Sequence, residues 1–366
     1  MKDKNLLDDI KDKSLEELTE LADNIIKNLE KKKNLEDSMD EYQKLIRLNI
    51  LIEKQFQKAS KDLSLSTKAK IQNLQKKMKK KLNKVARDTN LFLKKFILKQ
   101  KRTELLTPMK YGLLPGGKKI RSKLLVDVGK IFNVNYYKLI QIAAAVECIH
   151  AYSLIHDDLP CMDNDKLRRG KLSTHAKFGE STAILAGNSL LTIAFEILSQ
   201  SSFKVDFKTK NNLINLLSKC SGHSGIAGGQ YSDLQFEGKQ QSLKKIIDMQ
   251  TKKTGKLFSF CCVAPIIVSK KNKYLNLFDS IGSKIGLLFQ IVDDLIDHTG
   301  SSKRAGKKTK KDFKRGKATL ISLLGYKNTV KYGNKLKLEI FSKINKLGNK
   351  NRDLKDTINY ILKRSK

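Results

Sequence analysis

Apolar residues recur at helical spacing along most of the chain. Leu15, Leu18, Leu21, Ile25, Ile26 and Leu29 form one stripe over residues 14–30. Ser14 with Glu17 three residues on has the pattern of a capping box, so a helix is expected to start there. The lysines at 31–33 and Asn34 interrupt the stripe, and a second follows through Leu35, Met39, Tyr42, Leu45, Ile46 and Leu48 to Ile52. Together they predict a helical hairpin with a long second arm. Beyond it the pattern predicts long helices over 68–101, 117–132, 139–156, 183–200, 210–222, 243–268 and 274–297, with a last helical region from Thr319. Glycine and proline punctuate them at Pro115-Gly116-Gly117, Gly170, Gly228-Gly229, Gly238 and Gly306. No useful length of alternating polar and apolar positions occurs. The expected fold is all-α: an N-terminal hairpin, then a bundle with a central cavity.

Charge divides the chain. Residues 1–65 hold 13 Lys/Arg against 15 Asp/Glu, whereas residues 66–102 hold 14 against Asp88 alone. This step predicts two parts, 1–65 and 66–366. The net charge of +37 points to phosphorylated substrates, nucleic acid or anionic lipid as partners, or to no more than a lysine-rich solvated surface. If the basic stretch 68–102 binds nucleic acid, phosphate contacts alone would make that binding non-specific and steeply salt-dependent. Five cysteines without CxxC spacing suggest neither a disulfide framework nor a zinc site. The charged N-terminus lacks a signal peptide, and the longest apolar stretch, 139–155, contains Glu147 and His150. That stretch reads as too short and too polar for a membrane span, which leaves a reducing cytoplasm as the expected location.

The chemistry lies in two aspartate clusters, Asp157-Asp158-Leu159-Pro160-Cys161-Met162-Asp163 and Asp293-Asp294-Leu295-Ile296-Asp297. Three carboxylates within a few residues repel one another unless a cation sits among them. A hard divalent ion, Mg²⁺ above all, is held by such carboxylates together with substrate phosphates. Asp293 and Asp297 are i,i+4 and share a helix face. Arg168-Arg169-Gly170 follows the first cluster, offering guanidiniums that fork onto phosphate oxygens. Upstream, Gly116-Gly117-Lys118-Lys119-Ile120-Arg121 places Lys118 and Arg121 at a glycine-led helix start, where free amides favour anions. The spacing is not that of a nucleotide P-loop. Two facing Mg²⁺–diphosphate sites are the reading these residues support.

The run from Ala143 to Asp165, with His150 and the first cluster inside it, then Leu167-Arg168-Arg169-Gly170, resembles bacterial trans-isoprenyl diphosphate synthases of the farnesyl diphosphate synthase type. Further matches are Lys177-Phe178-Gly179-Glu180, Gly228-Gly229-Gln230, Lys253-Thr254-Gly255, Phe289-Gln290 before the second cluster, Gly306-Lys307, and Gly316-Lys317-Ala318-Thr319. The resemblance implies that Asp157, Asp158, Asp163, Asp293, Asp294 and Asp297 bind about three Mg²⁺, which hold an allylic diphosphate as its C–O bond breaks. It implies that Arg168, Lys253 and Lys307 grip that diphosphate, with Lys317 a further substrate contact. Lys118, Arg121, His150 and Arg169 would form a metal-free pocket for isopentenyl diphosphate. Thr254 and Gln290 would aim oxygen dipoles at the allylic cation, or merely back-bond and pack as core groups. Tyr152, five residues before Asp157, would floor the cavity and limit the product to fifteen carbons. The implied assembly is a homodimer. Lys166 stands where an acid often follows Asp165, and Leu320-Ile321 replaces a common proline.

The N-terminal pattern Ser14-Leu15-Glu16-Glu17-Leu18, Ile25-Ile26, Leu29-Glu30, Leu35-Glu36-Asp37-Ser38-Met39 and Tyr42 resembles the small subunit of bacterial exodeoxyribonuclease VII. That resemblance implies a non-catalytic hairpin able to join an exonuclease VII large subunit through residues 1–65. The competing expectation is an extra helical hairpin that packs on the main domain or mediates assembly. A terpene cyclase is disfavoured because the second cluster is Asp-Asp-x-x-Asp. A purely structural nuclease subunit is disfavoured because all six aspartates are present.

Overall fold

The computed structural model describes residues 13–30, 38–114, 116–299 and 317–362. The chain divides into two compact units, Met1–Lys77 and Met78–Lys366. In the first unit, α1 (Leu15–Glu30) begins at the expected capping box: the Ser14 amide donates to Glu17 Oε2 at 2.6 Å and the Glu17 amide to Ser14 Oγ at 3.3 Å. Leu18 and Ala22 of α1 are buried with Leu48 of α2 (Met39–Leu98), and Leu21, Ile25, Leu45 and Ile52 pack round them. The hairpin is therefore present. Its second arm and the expected helix 68–101 are one 60-residue helix, because neither glycine nor proline interrupts residues 39–98.

The second unit is all-α. The end of α2 is followed by α3 (Leu106–Leu113), α4 (Ile120–Ile131) and α5 (Tyr136–Asp157). A two-residue hairpin, β1 (Leu167–Arg168) with β2 (Lys171–Leu172), is the only strand pairing among the described residues. Then come α6 (Thr174–Phe178), α7 (Glu180–Ser199), α8 (Phe207–Ser221) and α9 (Ile226–Phe236). The expected helix 243–268 is divided into α10 (Leu243–Gln250), a π-helical turn (Thr251–Gly255) and α11 (Lys256–Val268). The unit closes with α12 (Leu275–Thr299), α13 (Leu320–Asn345) and α14 (Arg352–Leu362). α5 lies along α7 and α4, while α11 lies along α12, so these helices form the core.

Two sequence expectations need correction. Gly228 and Gly229 lie inside α9, not between helices. A β-carbon on Gly229 would stand 2.1 Å from the Lys253 amide nitrogen, so the glycine permits close backbone approach where the pattern suggested a break. The helix that contains 139–155 is neither too short nor too polar for a membrane span: α5, α7 and the region Asn272–Thr299 are long and apolar enough to cross a membrane by length and composition. In α5, 78% of that apolar stretch is buried inside the bundle, so packing against protein accounts for its character.

The last helix is held by charge. Lys123, Asp127 and Thr357 form a fully buried cluster in which Lys123 and the Thr357 hydroxyl both donate to Asp127. Nearby, Asp353 accepts from Lys81 and, at 2.9 Å, from Lys130. Burial raises the Asp353 carboxyl, but the two lysines outweigh it and hold it at about 2. A carboxylate depressed in the folded state stabilises above its unfolded value near 4 and loses that contribution as pH falls through the folded one. Asp353→Asn is expected to cost about 1 kcal/mol at pH 7. In melting curves, the gap to wild type should close as pH falls from about 4 to about 2.

Candidate active site

The first aspartate cluster is shaped by a helix end. α5 stops at Asp157 and Asp158 caps its C-terminus, where the helix dipole disfavours anions. Backbone bonds then fold the chain back: the Asp163 amide donates to the Asp157 carbonyl at 2.8 Å, and the Asp165 amide to the Asp158 carbonyl at 3.0 Å. Cations converge on this turn. Arg168 forks onto Asp158, with Nε 3.0 Å from both carboxylate oxygens. Lys317 reaches Asp163 at 3.1 Å and Asp233 of α9 at 3.3 Å, and Lys253 reaches Asp233 at 2.6 Å. Asp157 is pushed up to about 6 by burial, with Asp163 and Asp158 adding to the rise and Lys253 and Arg168 opposing it. For Lys253, burial is outweighed by Asp233 and Asp157, so the ammonium is favoured.

The second cluster lies on α12, and Asp293 and Asp297 are one turn apart as their spacing predicts. Asp294 points inward and is buried. Its two oxygens accept from the Gln290 amide at 2.8 Å and the Gln250 amide at 3.2 Å. Thr254 donates to Gln290 Oε1 at 3.2 Å, so its hydroxyl is not back-bonded within its own helix, and the Gln290 amide is satisfied at both ends. The π-helical turn joins the two clusters: Lys253 faces Asp233 and Asp157, while the next residue, Thr254, reaches Gln290 and through it Asp294. An α-helical turn would set consecutive side chains differently, and such π-bulges concentrate at functional sites.

A separate basic group surrounds the start of α4. Arg121 Nη1 lies 3.3 Å from His150 Nε2, and its guanidinium stacks over Phe258 at 4.7 Å. His150 is held neutral, well below the usual imidazole range, by burial and by Arg121 and Arg169. The Arg169 guanidinium lies on Gly117, where a β-carbon would stand 2.9 Å from it. Lys118 is exposed, with its ammonium 5.6 Å from the centre of the Tyr360 ring. A cavity lined by Asp158, Arg168, Arg169, Tyr111, Leu154 and Leu172 includes Arg169 of this group but not Lys118, Arg121 or His150. Tyr152 is buried on α5, its hydroxyl 3.4 Å from the Ser221 carbonyl and its ring edge-on to His156. Lys307 lies outside the described residues.

No three carboxylates converge at metal-coordinating distance among the described residues. The donor set nevertheless suits a hard divalent cation: it is all oxygen, and Asp157, raised chiefly by burial and further by Asp163 and Asp158, is a carboxylate whose charge a cation would favour. Asp233 and Gln250 join the site without having been singled out as site residues. The signal for Asp233 was its i,i+3 spacing from Gln230 on α9. Lys119 and Glu147 form a buried ion pair at 3.1 Å beneath the basic group. The signal for Glu147 was a lone acid within the apolar run 139–155.

The polyprenyl synthetase family matches residues 102–361. A farnesyl diphosphate synthase from Micrococcus luteus is 39% identical over 266 residues, 72% of this chain and 91% of the relative. Among solved structures, an FPP/GFPP synthase from Zymomonas mobilis, in its apo form, aligns with TM-score 0.70 and 35% identity, covering 78% of this chain and 99% of the other. A geranyltransferase from Helicobacter pylori, complexed with magnesium and isoprenyl diphosphate, aligns with TM-score 0.66 and 31% identity, covering 76% and 95%.

Proposed function

We propose that this chain, which belongs to the polyprenyl synthetase family and is a prenyltransferase, condenses isopentenyl diphosphate with dimethylallyl and geranyl diphosphates to make farnesyl diphosphate. The observation that carries the reading is the π-helical turn, which sets Lys253 toward the first aspartate cluster and Thr254 toward the second. Asp157, Asp158, Asp163, Asp293, Asp294 and Asp297 would hold Mg²⁺, about three ions by family resemblance. When bound, Mg²⁺ neutralises charge on the departing diphosphate. Arg168, Lys253 and Lys317 supply further positive charge on the same leaving group, with Lys307 a proposed fourth. Thr254 spends its proton on Gln290 and keeps lone pairs for the allylic cation. Lys118, Arg121, Arg169 and the neutral His150 hold the isopentenyl diphosphate so that its double bond meets that cation. The allylic C–O bond breaks first, the isopentenyl double bond then attacks the allylic cation to form the new C–C bond, and the proton lost from the resulting tertiary cation goes to the released diphosphate.

Tyr152 is the proposed floor of the chain-length cavity, supported by its burial one helical turn before Asp157. Incubation with dimethylallyl and isopentenyl diphosphates, with and without Mg²⁺, should give Mg²⁺-dependent farnesyl diphosphate. Tyr152→Ala should shift the product to twenty carbons or longer. A Tyr152→Ala enzyme stopping at fifteen carbons would remove the floor, wild-type product of twenty carbons would make the chain a geranylgeranyl diphosphate synthase, and no product from folded protein would overturn the reading.

Residues 1–65 are proposed as an exonuclease VII small-subunit-like module on the sequence resemblance alone; the Ser14–Glu17 capping box and the paired apolar faces of α1 and α2 fit this module and an assembly hairpin equally. Co-purification with an exonuclease VII large subunit is the expected result. Its failure would favour an assembly hairpin. A homodimer and a cytoplasmic location complete the proposal, the latter supported by five free cysteines.

A further inference from the structure

The turn before α4 carries a local strain that its sequence does not require. Lys119, the residue that precedes the helix, adopts the left-handed conformation at φ 47° and ψ 45°. An L-residue with a long side chain is disfavoured there by roughly 1 kcal/mol or more. Lys119 is nevertheless buried, its ammonium 3.1 Å from Glu147 Oε2 and 3.5 Å from the Leu113 carbonyl. The other oxygen of Glu147 accepts from Ser122 Oγ at 2.6 Å, from the first turn of α4. One carboxylate on α5 thus holds both the residue before α4 and its first turn.

Everything above that anchor belongs to the basic group. Gly117 supports the Arg169 guanidinium, Lys118 follows it, and Arg121 reaches His150, which lies three residues after Glu147 on α5. Buried ion pairs are poor sources of stability compared with apolar packing, and some persist because they fix one arrangement. Burial raises the Glu147 carboxyl, yet Lys119 and Ser122 outweigh it and favour the carboxylate.

We infer that Glu147 is a positioning residue for the isopentenyl diphosphate pocket: from beneath, through Lys119 and Ser122, it fixes the 116–121 segment and so the stance of Lys118, Arg121 and Arg169. Neither Glu147 nor Lys119 touches the substrate. The inference rests on the reading of this pocket given above.

Two physical effects of Glu147→Gln have opposite signs. If Glu147 were only a nearby negative charge, its loss would deepen the positive potential and tighten diphosphate binding. As a positioning residue, its loss releases Lys119 from the strained turn and loosens binding. Steady-state kinetics of Glu147→Gln, varying each substrate separately, should show the KM for isopentenyl diphosphate raised about tenfold, with kcat and the KM for the allylic substrate within about threefold of wild type. An isopentenyl KM that is unchanged or lower, or equal increases in both KM values, would overturn the inference. The double variant Lys119→Gly/Glu147→Gln leaves no unpaired buried charge and puts glycine in the left-handed position, so it keeps the fold even where the single variant does not. It too should show the selective rise, and a wild-type isopentenyl KM in it would overturn the inference. The wild-type assay is run first: no condensation there defeats the pocket reading itself, whereas a normal wild type with insensitive variants defeats only the role of Glu147.

Discussion

Asp157→Asn is expected to lower prenyl transfer about 10³-fold, a loss of ~4 kcal/mol in barrier reduction. The amide keeps the size of the side chain and its place at the end of α5, but loses the charge that would hold Mg²⁺ against a diphosphate. The same change should raise the melting temperature of the metal-free protein. Asp157 is half-buried beside Asp163 and Asp158, and desolvation together with those neighbours pushes its carboxyl up to about 6. An ionised group there is unfavourable near neutral pH without a cation. Rate and stability therefore move in opposite directions, as expected where a strained charge cluster serves a reaction. Product formation at saturating Mg²⁺ and a melting curve in chelator test both halves. Near-normal activity would remove Asp157 from the metal site.

Gly229→Ala is expected to damage both stability and catalysis. The new carbon would stand 2.1 Å from the Lys253 amide nitrogen and 2.5 Å from its Cα. These are backbone atoms of the π-helical turn and cannot swing aside as a side-chain tip can. Separating α9 from the turn should cost at least ~3 kcal/mol, at the upper end for overpacking. Protein that still folds should lose about 10²-fold or more in kcat, because Lys253 and Thr254 move with the turn. Gly117→Ala is the control. Its β-carbon would meet only the flexible Arg169 guanidinium at 2.9 Å, so stability should change by about 0.5 kcal/mol or less, with any effect falling on the isopentenyl KM. Equal melting temperatures for Gly229→Ala and wild type would show that the contact can relax.

The sequence by itself determined the helices, their amphipathic faces and the two carboxylate clusters. Each of these is local: the Ser14–Glu17 box spans one turn, the α1 stripe follows the 3.6-residue period, and Asp293 and Asp297 share a face because they are four apart. The same locality explains what went astray. A glycine pair looks alike whether it ends a helix or lets another backbone approach, and only the proximity of Lys253 to Gly229 distinguishes the two. A long apolar helix looks alike in a bundle or a bilayer until its neighbours are known. The π-helical turn leaves no periodic trace in five residues. Charged and polar groups distant in sequence pair only once the chain folds: Lys317 with Asp163 and Asp233, the Gln250 amide with Asp294, and Lys119 with Glu147. Tertiary structure decided these because Coulomb and hydrogen-bond energies depend on distance in space, and a one-dimensional pattern records distance only along the chain.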